Sequence, residues 1–161
     1  MTRHLISIRR HTLQAGMTLL ELIIACAILM VLASAALPVT RMSIRFQRET
    51  ELRRDLREMR NAIDRYKDVA DRNLIQVELG TEGYPPDLGT LVKGVKLSGL
   101  ADRQIRFLRR IPIDPMTGQP EWGLRCVQDE PDSTSWCSKN VFDVYSKSYG
   151  TGSDGRRYSE W

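Results

Sequence analysis

The sequence predicts an α+β protein. A long N-terminal α-helix, half membrane-spanning and half amphipathic, is expected to pack on a small antiparallel β-sheet head with an irregular C-terminal loop. Three patterns predict this fold: an apolar run, a charged amphipathic segment after it, and two short alternating runs near the C-terminus. We call the parts the leader (1–16), the apolar helix (17–38), the stem (39–73) and the head (74–161).

Composition argues against enzyme activity and against a nucleic-acid partner. The formal net charge is +4, and Arg3, Arg9 and Arg10 of the leader supply three of these charges. The other 21 basic and 20 acidic side chains nearly balance, so we expect no nucleic acid as a partner. The only histidines, His4 and His11, also lie in the leader. Without the leader, a Ser-His-Asp or Cys-His catalytic set and an imidazole metal site are excluded.

The apolar helix has the length of a membrane span. Met17 to Leu37 supplies the ~20 residues that a helix rising ~1.5 Å per residue needs to cross ~30 Å of hydrocarbon. A secretory signal peptide, cleaved after Ala35 to release a soluble ligand-binding domain, is one interpretation, although its apolar run is usually only ~7–15 residues. A plain membrane anchor is another, and there Glu21 costs roughly 2.5–3.5 kcal/mol.

A third interpretation comes from a family resemblance. Ala15-Gly16-Met17-Thr18-Leu19-Leu20-Glu21, followed by the apolar run, resembles the processing motif of type IV pilins and pseudopilins. In that family a prepilin peptidase cuts after the glycine on the cytoplasmic side, the new N-terminus is methylated, and the helix stays attached. The resemblance implies cleavage between Gly16 and Met17 and N-methylation of Met17, which stands where phenylalanine is usual.

This resemblance, together with the physics of buried charge, suggests roles for Glu21 and Pro38 of the apolar helix. Cleavage creates an ammonium group at Met17, which must leave water when subunits pack helix against helix. Because removing one partner of a buried ion pair costs ~3–5 kcal/mol, we predict that Glu21 pairs with the Met17 amine of a neighbouring subunit. Pro38, at the outer end of the span, lacks an N–H and predicts a helix kink.

The stem is predicted to be an amphipathic helix from Thr40 to about Asn73. Its narrow apolar stripe is expected to hold the head, with a coiled-coil dimer as the alternative. Opposite charges at helical spacing predict three ion pairs, Glu49–Arg53, Arg54–Glu58 and Arg60–Asp64. The stripe consists of Leu52, Leu56, Met59, Ile63, Tyr66 and Ala70.

The head is predicted to combine loops, short helices and two strands. Residues 80–99 are expected to form a loop with a helical turn or two, and a short helix over 101–110 would place Arg103, Arg106 and Arg110 on one side. That arginine face is either solvated or a contact to neighbouring subunits. Alternating residues in 122–127 and 140–146 predict antiparallel strands, and the tail reads as an irregular loop.

Ten residues lie between Cys126 and Cys137, in a segment rich in turn formers. In a compartment past the membrane we expect a disulfide, whose small loop contributes on the order of 2–3 kcal/mol. The alternative, a pair of zinc ligands, lacks a second pair of thiols or histidines. The pair is also similar to the C-terminal disulfide loop of true pilins.

The head resembles one branch of the family. Tyr84-Pro85, Ile111-Pro112-x-Asp114-Pro115, Phe142-Asp143-Val144-Tyr145-Ser146 and Ser153-Asp154-Gly155 follow in the order seen in the major pseudopilin of type II secretion. This implies a structural subunit of a pseudopilus that helps to move folded proteins across the outer membrane. It implies a single inner-membrane span, a cytoplasmic leader and a periplasmic head. The alternative is a type IV pilin or minor pilin in adhesion, motility or DNA uptake.

The same resemblance implies partners and a metal. The partners are other copies of the chain, minor pseudopilins, the inner-membrane assembly platform and the prepilin peptidase. Major pseudopilins bind calcium in the C-terminal loop, for which Asp154 is the candidate ligand here. Arg156 and Arg157 follow it, and two cations beside the site argue against binding, so we expect no cofactor. The disulfide is expected to rigidify this region instead.

Overall fold

A computed structural model describes residues 18–161, without the side chains of residues 35–41 and 100–102. It confirms the α+β class. Helix α1 is Leu19–Asp71 and helix α2 is Leu88–Lys93, and a 3₁₀ turn lies at Tyr158–Glu160. The strands form two antiparallel pairs, β1 (Val95–Leu97) with β2 (Leu100–Ile105) and β3 (Trp122–Arg125) with β4 (Asp143–Ser146).

The chain divides into two compact units, Met1–Met42 and Ser43–Trp161. Gly16 and Met17 lie outside the described residues. Position 38 lies within α1, but its side chain is not described, so the kink at Pro38 stays a prediction. Among the helices of the described residues, the structure contains none that is both long and apolar enough to qualify as a membrane span.

The apolar stripe of the stem forms the centre of the core of the second unit. Leu52, Met59 and Ile63 are 0 % exposed, and the other members of the stripe are buried with them. Their spacing of three and four residues places them on one side of α1, against α2, β3 and β4. The stripe is therefore buried by its own chain, as predicted, and is not available for a coiled-coil seam. The head supplies Leu88, Leu91, Phe107, Leu108, Trp122, Val141 and Val144 to this core.

A capped helix, α2, precedes the two strand pairs of the head. Asp87 begins α2 by accepting a hydrogen bond from the Thr90 backbone N–H at 2.8 Å. The predicted strands at 122–127 and 140–146 are confirmed as β3 and β4, with Trp122 opposite Ser146 and Arg125 opposite Asp143. Between them the Tyr145 ring lies so close to Gly123 that a Cβ there would come within 2.2 Å of it.

The helix predicted over residues 101–110 is wrong, because residues Leu100–Ile105 form strand β2. β1 pairs with β2 through a hairpin, and the Gln104 side chain donates to the carbonyl oxygens of Lys93 and Gly94 at 2.7 and 3.1 Å. Phe107 and Leu108 then both donate backbone N–H groups to the carbonyl oxygen of Leu91. These pairings outweigh the local helix propensity, and the predicted helical arginine face does not form.

The three ion pairs predicted from helical spacing are also wrong. Glu49 pairs with Arg45, and Arg54 pairs with Glu51 and Asp55. Arg53 pairs with Asp154, and Arg60 pairs with Asp143. The side of α1 that carries Arg53 and Arg60 lies against the head, so head carboxylates compete for these arginines.

Truncating the centre of the stripe tests the role of the stem. We expect Ile63→Ala to lower the free energy of unfolding by about 2–5 kcal/mol, because it removes buried methyl groups and leaves a cavity. Asn61→Ala, at an exposed position of the same helix, should change it by less than about 0.5 kcal/mol. Urea unfolding of the full chain in detergent, followed by tryptophan fluorescence, measures both. Equal stability of the two variants would contradict this packing.

Candidate functional site

The first turn of α1 carries a capping arrangement around Glu21. The backbone N–H of Glu21 donates to the Thr18 hydroxyl oxygen at 3.3 Å, and the Thr18 carbonyl accepts from the Leu22 N–H at 3.1 Å. Thr18 is therefore the N-cap, and Glu21 stands three residues later, as in a capping box. A carboxylate there is also favoured by the helix dipole. Sequence reasoning missed this role of Thr18, although the Thr-x-x-Glu spacing indicates it.

The helix surface that follows Glu21 is apolar on every side. Ten large apolar side chains between Leu19 and Leu32 are each at least 51 % exposed, and Cys26 is an exposed free thiol. Glu21 is the only charged residue from position 18 to position 34. A helix that is apolar all round needs lipid or other protein to cover it, so this surface indicates an interaction element.

A comparison with known families matches this end of the chain. Residues 12–37 match the family described as "Prokaryotic N-terminal methylation motif". The motif indicates a type IV pilin-like protein. It covers 26 of the 161 residues and includes Gly16, Met17 and Glu21. Comparison with curated proteins and with solved structures gives no significant match.

For a pilin-like chain the motif supports processing by a prepilin peptidase and self-assembly, and it favours a structural protein over an enzyme. It does not separate a secretion pseudopilus from a pilus. The Met17 amine lies outside the described residues, so its pairing with Glu21 of a neighbour stays a prediction.

A second polar centre, which the sequence did not reveal, surrounds Glu49 of the stem. The buried carboxylate accepts hydrogen bonds from Arg45 Nε, the Ser153 backbone N–H and the Tyr158 hydroxyl, each at 3.0 Å. It also accepts one from the Ser153 hydroxyl, and Arg45 donates to the Thr151 carbonyl. We call Arg45, Glu49, Ser153 and Tyr158 the Glu49 cluster. It ties the C-terminal loop to the stem.

The electrostatics of the Glu49 cluster favour the ionised acid. Burial by itself raises the pKa of the Glu49 carboxyl, but the hydrogen bonds from Ser153, Tyr158 and Arg45 outweigh burial and lower that pKa below its usual value. Burial also raises the pKa of the Tyr158 phenol, which stays a donor at neutral pH. Since the folded pKa of Glu49 is the lower one, its stabilisation is present above the unfolded pKa of ~4.3. It is lost as the pH falls through the folded pKa.

The C-terminal loop does not fit a calcium ion. The Asp154 carboxylate lies 3.0 Å from Arg53 Nη2 and 2.9 Å from Arg156 Nη2, and it also accepts the Arg156 backbone N–H. Three carbonyl oxygens of the loop already accept protein hydrogen bonds, those of Gly150, Thr151 and Gly152. Calcium needs about 6–8 oxygen ligands, whereas the nearest charges here are two guanidinium groups.

Cys126 and Cys137 are joined in a disulfide, with Cα atoms 6.0 Å apart. Their sulfurs and an Asp129 carboxylate oxygen lie within 4.8 Å of one another. A disulfide sulfur is not the thiolate that zinc requires, so this group does not act as a zinc site while the bond is intact. The disulfide closes the loop after β3, whereas residues 151–158 are held by the Glu49 cluster.

The cavity beside Asp143 has a volume of about 600 Å³. Its lining balances three arginines against three acids, so it shows no preference for the sign of a ligand. The charged residues are Arg60, Arg125, Arg157, Asp132, Asp143 and Glu160.

The Glu49 cluster predicts metal-independent stability. Glu49→Gln should lower the free energy of unfolding by about 1–3 kcal/mol, because an amide cannot accept all the donors that meet the carboxylate. We expect the melting temperature of the full chain in detergent to be the same in CaCl₂ and in EDTA for both proteins. Glu51→Gln, at an exposed stem position, is the matched control and should change little. A large loss of melting temperature in EDTA would contradict the cluster's role.

Proposed function

We propose that the chain is a structural subunit of a type II secretion pseudopilus, which polymerises through its apolar helix to help move folded proteins across an outer membrane. The observation that carries the proposal is the methylation motif at residues 12–37, with Glu21 in the first turn of a helix that exposes apolar side chains on every side. Such a surface suits a subunit stored in lipid and transferred into a helical filament core. The order of the head motifs supports the pseudopilus branch.

In this proposal, cleavage after Gly16 leaves a methylated Met17 ammonium as the first residue. Before assembly the subunit lies in the inner membrane with its head in the periplasm. On assembly its apolar helix exchanges lipid for the helices of neighbouring copies, and Glu21 accepts the Met17 ammonium of an adjacent copy. The pair fixes the axial register, because any other register buries two unpaired charges. Minor pseudopilins and an inner-membrane assembly platform are the proposed further partners.

A type IV pilin or minor pilin is the second candidate function. The Cys126–Cys137 disulfide favours it, because true pilins carry a comparable C-terminal disulfide loop. Deletion of the gene separates the two. Loss of protein secretion with normal surface filaments supports the pseudopilus, and loss of adhesion, motility or DNA uptake with normal secretion supports the pilus.

The role of Glu21 can be separated from simple helix capping. Losing one partner of a buried ion pair costs ~3–5 kcal/mol, whereas losing an N-cap costs ~1 kcal/mol. Glu21→Ala should therefore leave the subunit in the membrane and reduce filament formation at least about a hundredfold. Thr18→Ala keeps the carboxylate and should reduce it by about tenfold or less.

Pelleting of sheared filaments from cells, with total subunit as reference, measures assembly. Each variant is first checked for cleavage after Gly16, since both changes lie near that bond. Undiminished assembly by Glu21→Ala, or an equal effect of the two variants, would remove the pairing role.

A further inference from the structure

The β1–β2 hairpin and the residues that follow it form a strongly basic surface. Between residues 93 and 110 six basic side chains are exposed, and Asp102 is the only acid in that segment. We call this surface the basic ribbon. Its members are Lys93, Lys96, Arg103, Arg106, Arg109 and Arg110.

None of these six side chains makes an ion pair with a carboxylate that the structure describes. Pairing is common elsewhere in the chain. Five basic residues of α1, and Arg72 directly after it, each lie within 4 Å of a carboxylate; the five are Arg45, Arg53, Arg54, Arg60 and Lys67. The ribbon is therefore a concentration of positive charge that the described carboxylates of its own subunit leave unpaired.

The ribbon is firmly attached to the head. Its last part is fixed by Phe107 and Leu108, which are 5 % and 3 % exposed and whose N–H groups both bond to Leu91. Arg65 of the stem also donates to the Phe107 carbonyl at 2.6 Å. The basic side chains therefore extend from a segment whose Phe107 and Leu108 are packed into the core.

The compensating charge lies in two other segments of the head. Residues 78–87 contain three acids and no base, and residues 127–138 also contain three acids and no base. The structure brings the two segments together, because the Gln128 side chain donates to Glu82 at 3.0 Å. We call Glu82, Asp129, Glu130 and Asp132 the acidic patch, and none of them makes an ion pair within the described residues.

We propose that the basic ribbon of one subunit docks on the acidic patch of a second copy of the chain. The two surfaces have opposite charge and lie on different segments, and neither makes an ion pair among the side chains that the structure describes. A contact between two different surfaces of identical subunits is heterologous, and it generates an open helical filament when the rotation does not close. The inference rests on the proposed function and adds to it a second contact, between heads, besides the one between apolar helices.

A polyanion is the competing occupant, and the ribbon suits it less well. Proteins that bind single-stranded nucleic acid combine basic side chains with exposed aromatic rings on which bases stack. The only aromatic residue in residues 93–110 is Phe107, which is buried. The acidic patch also has no role in binding a polyanion, whereas the proposed contact uses both surfaces.

Charge reversal tests the contact in filaments of the full chain. Arg106→Glu with Arg109→Glu should reduce pelleted filaments by about tenfold or more, since like charges opposed across an interface are strongly unfavourable. Glu130→Arg with Asp132→Arg should have the same effect, and combining all four changes should restore assembly. Arg48→Glu with Arg57→Glu, an equal charge change at exposed stem positions outside the ribbon, is the matched control and should assemble normally.

A second measurement does not depend on filaments. A carbodiimide joins a lysine amine directly to a carboxylate, so isotope-mixed subunits in membranes should give a Lys93 or Lys96 cross-link to the acidic patch between differently labelled copies. If these cross-links form although no filament is found, the head contact stands and the proposed filament function fails. The opposite result is that filaments form, the charge-reversal variants assemble normally, and no such cross-link appears. In that case the head contact is overturned and the filament function stands.

A third outcome would show that the basic ribbon does not bind a second copy of the chain. If only the ribbon reversal has an effect, and it abolishes binding of the full chain to a poly-dT oligonucleotide, the ribbon is a polyanion site. That result overturns the proposal.

Discussion

The packing of the stem stripe against the head is the contact on which the other features of the second unit depend. Each fully buried side chain such as Leu52, Met59 or Ile63 contributes about 1.5–3 kcal/mol relative to an exposed one. Because these residues recur every three or four positions, one side of α1 is fixed against the head. The polar residues beside the stripe are thereby placed within reach of the head's own polar groups.

The polar residues beside the stripe hold the rest of the head to the stem. Arg60 Nε lies 2.6 Å from Asp143 Oδ1, and Arg125 Nη1 lies 3.4 Å from Asp143 Oδ2, so one carboxylate joins the stem to β3 and β4. Glu49 holds the C-terminal loop in a similar way. Carboxylates and arginines of the chain itself thus hold the loop. The basic ribbon and the acidic patch contribute no ion pair to these networks, which is why we propose that their charges meet on another subunit.

The apolar periodicity of single elements was predictable from the sequence, whereas ion pairs and pairings between distant residues were not. The stripe and the strands β3 and β4 follow from periodicity, and Glu21 was recognised by its place in a motif. The Glu49 cluster joins residues about a hundred positions apart, so helical spacing suggested the wrong partner, Arg53. The helix predicted at 101–110 failed because hairpin pairing with Val95–Leu97 outweighed local propensity.

The central claim is that α1 stays attached to the head after processing, so that one helix serves the core of the subunit and, through its apolar half, the core of a polymer. The intact mass and N-terminal residue of the protein purified from membranes test this most directly. The account predicts a chain that begins with N-methylated Met17 and retains all of α1. A chain that begins at Ala36 would contradict it, because the apolar helix and Glu21 would then be absent from the working protein.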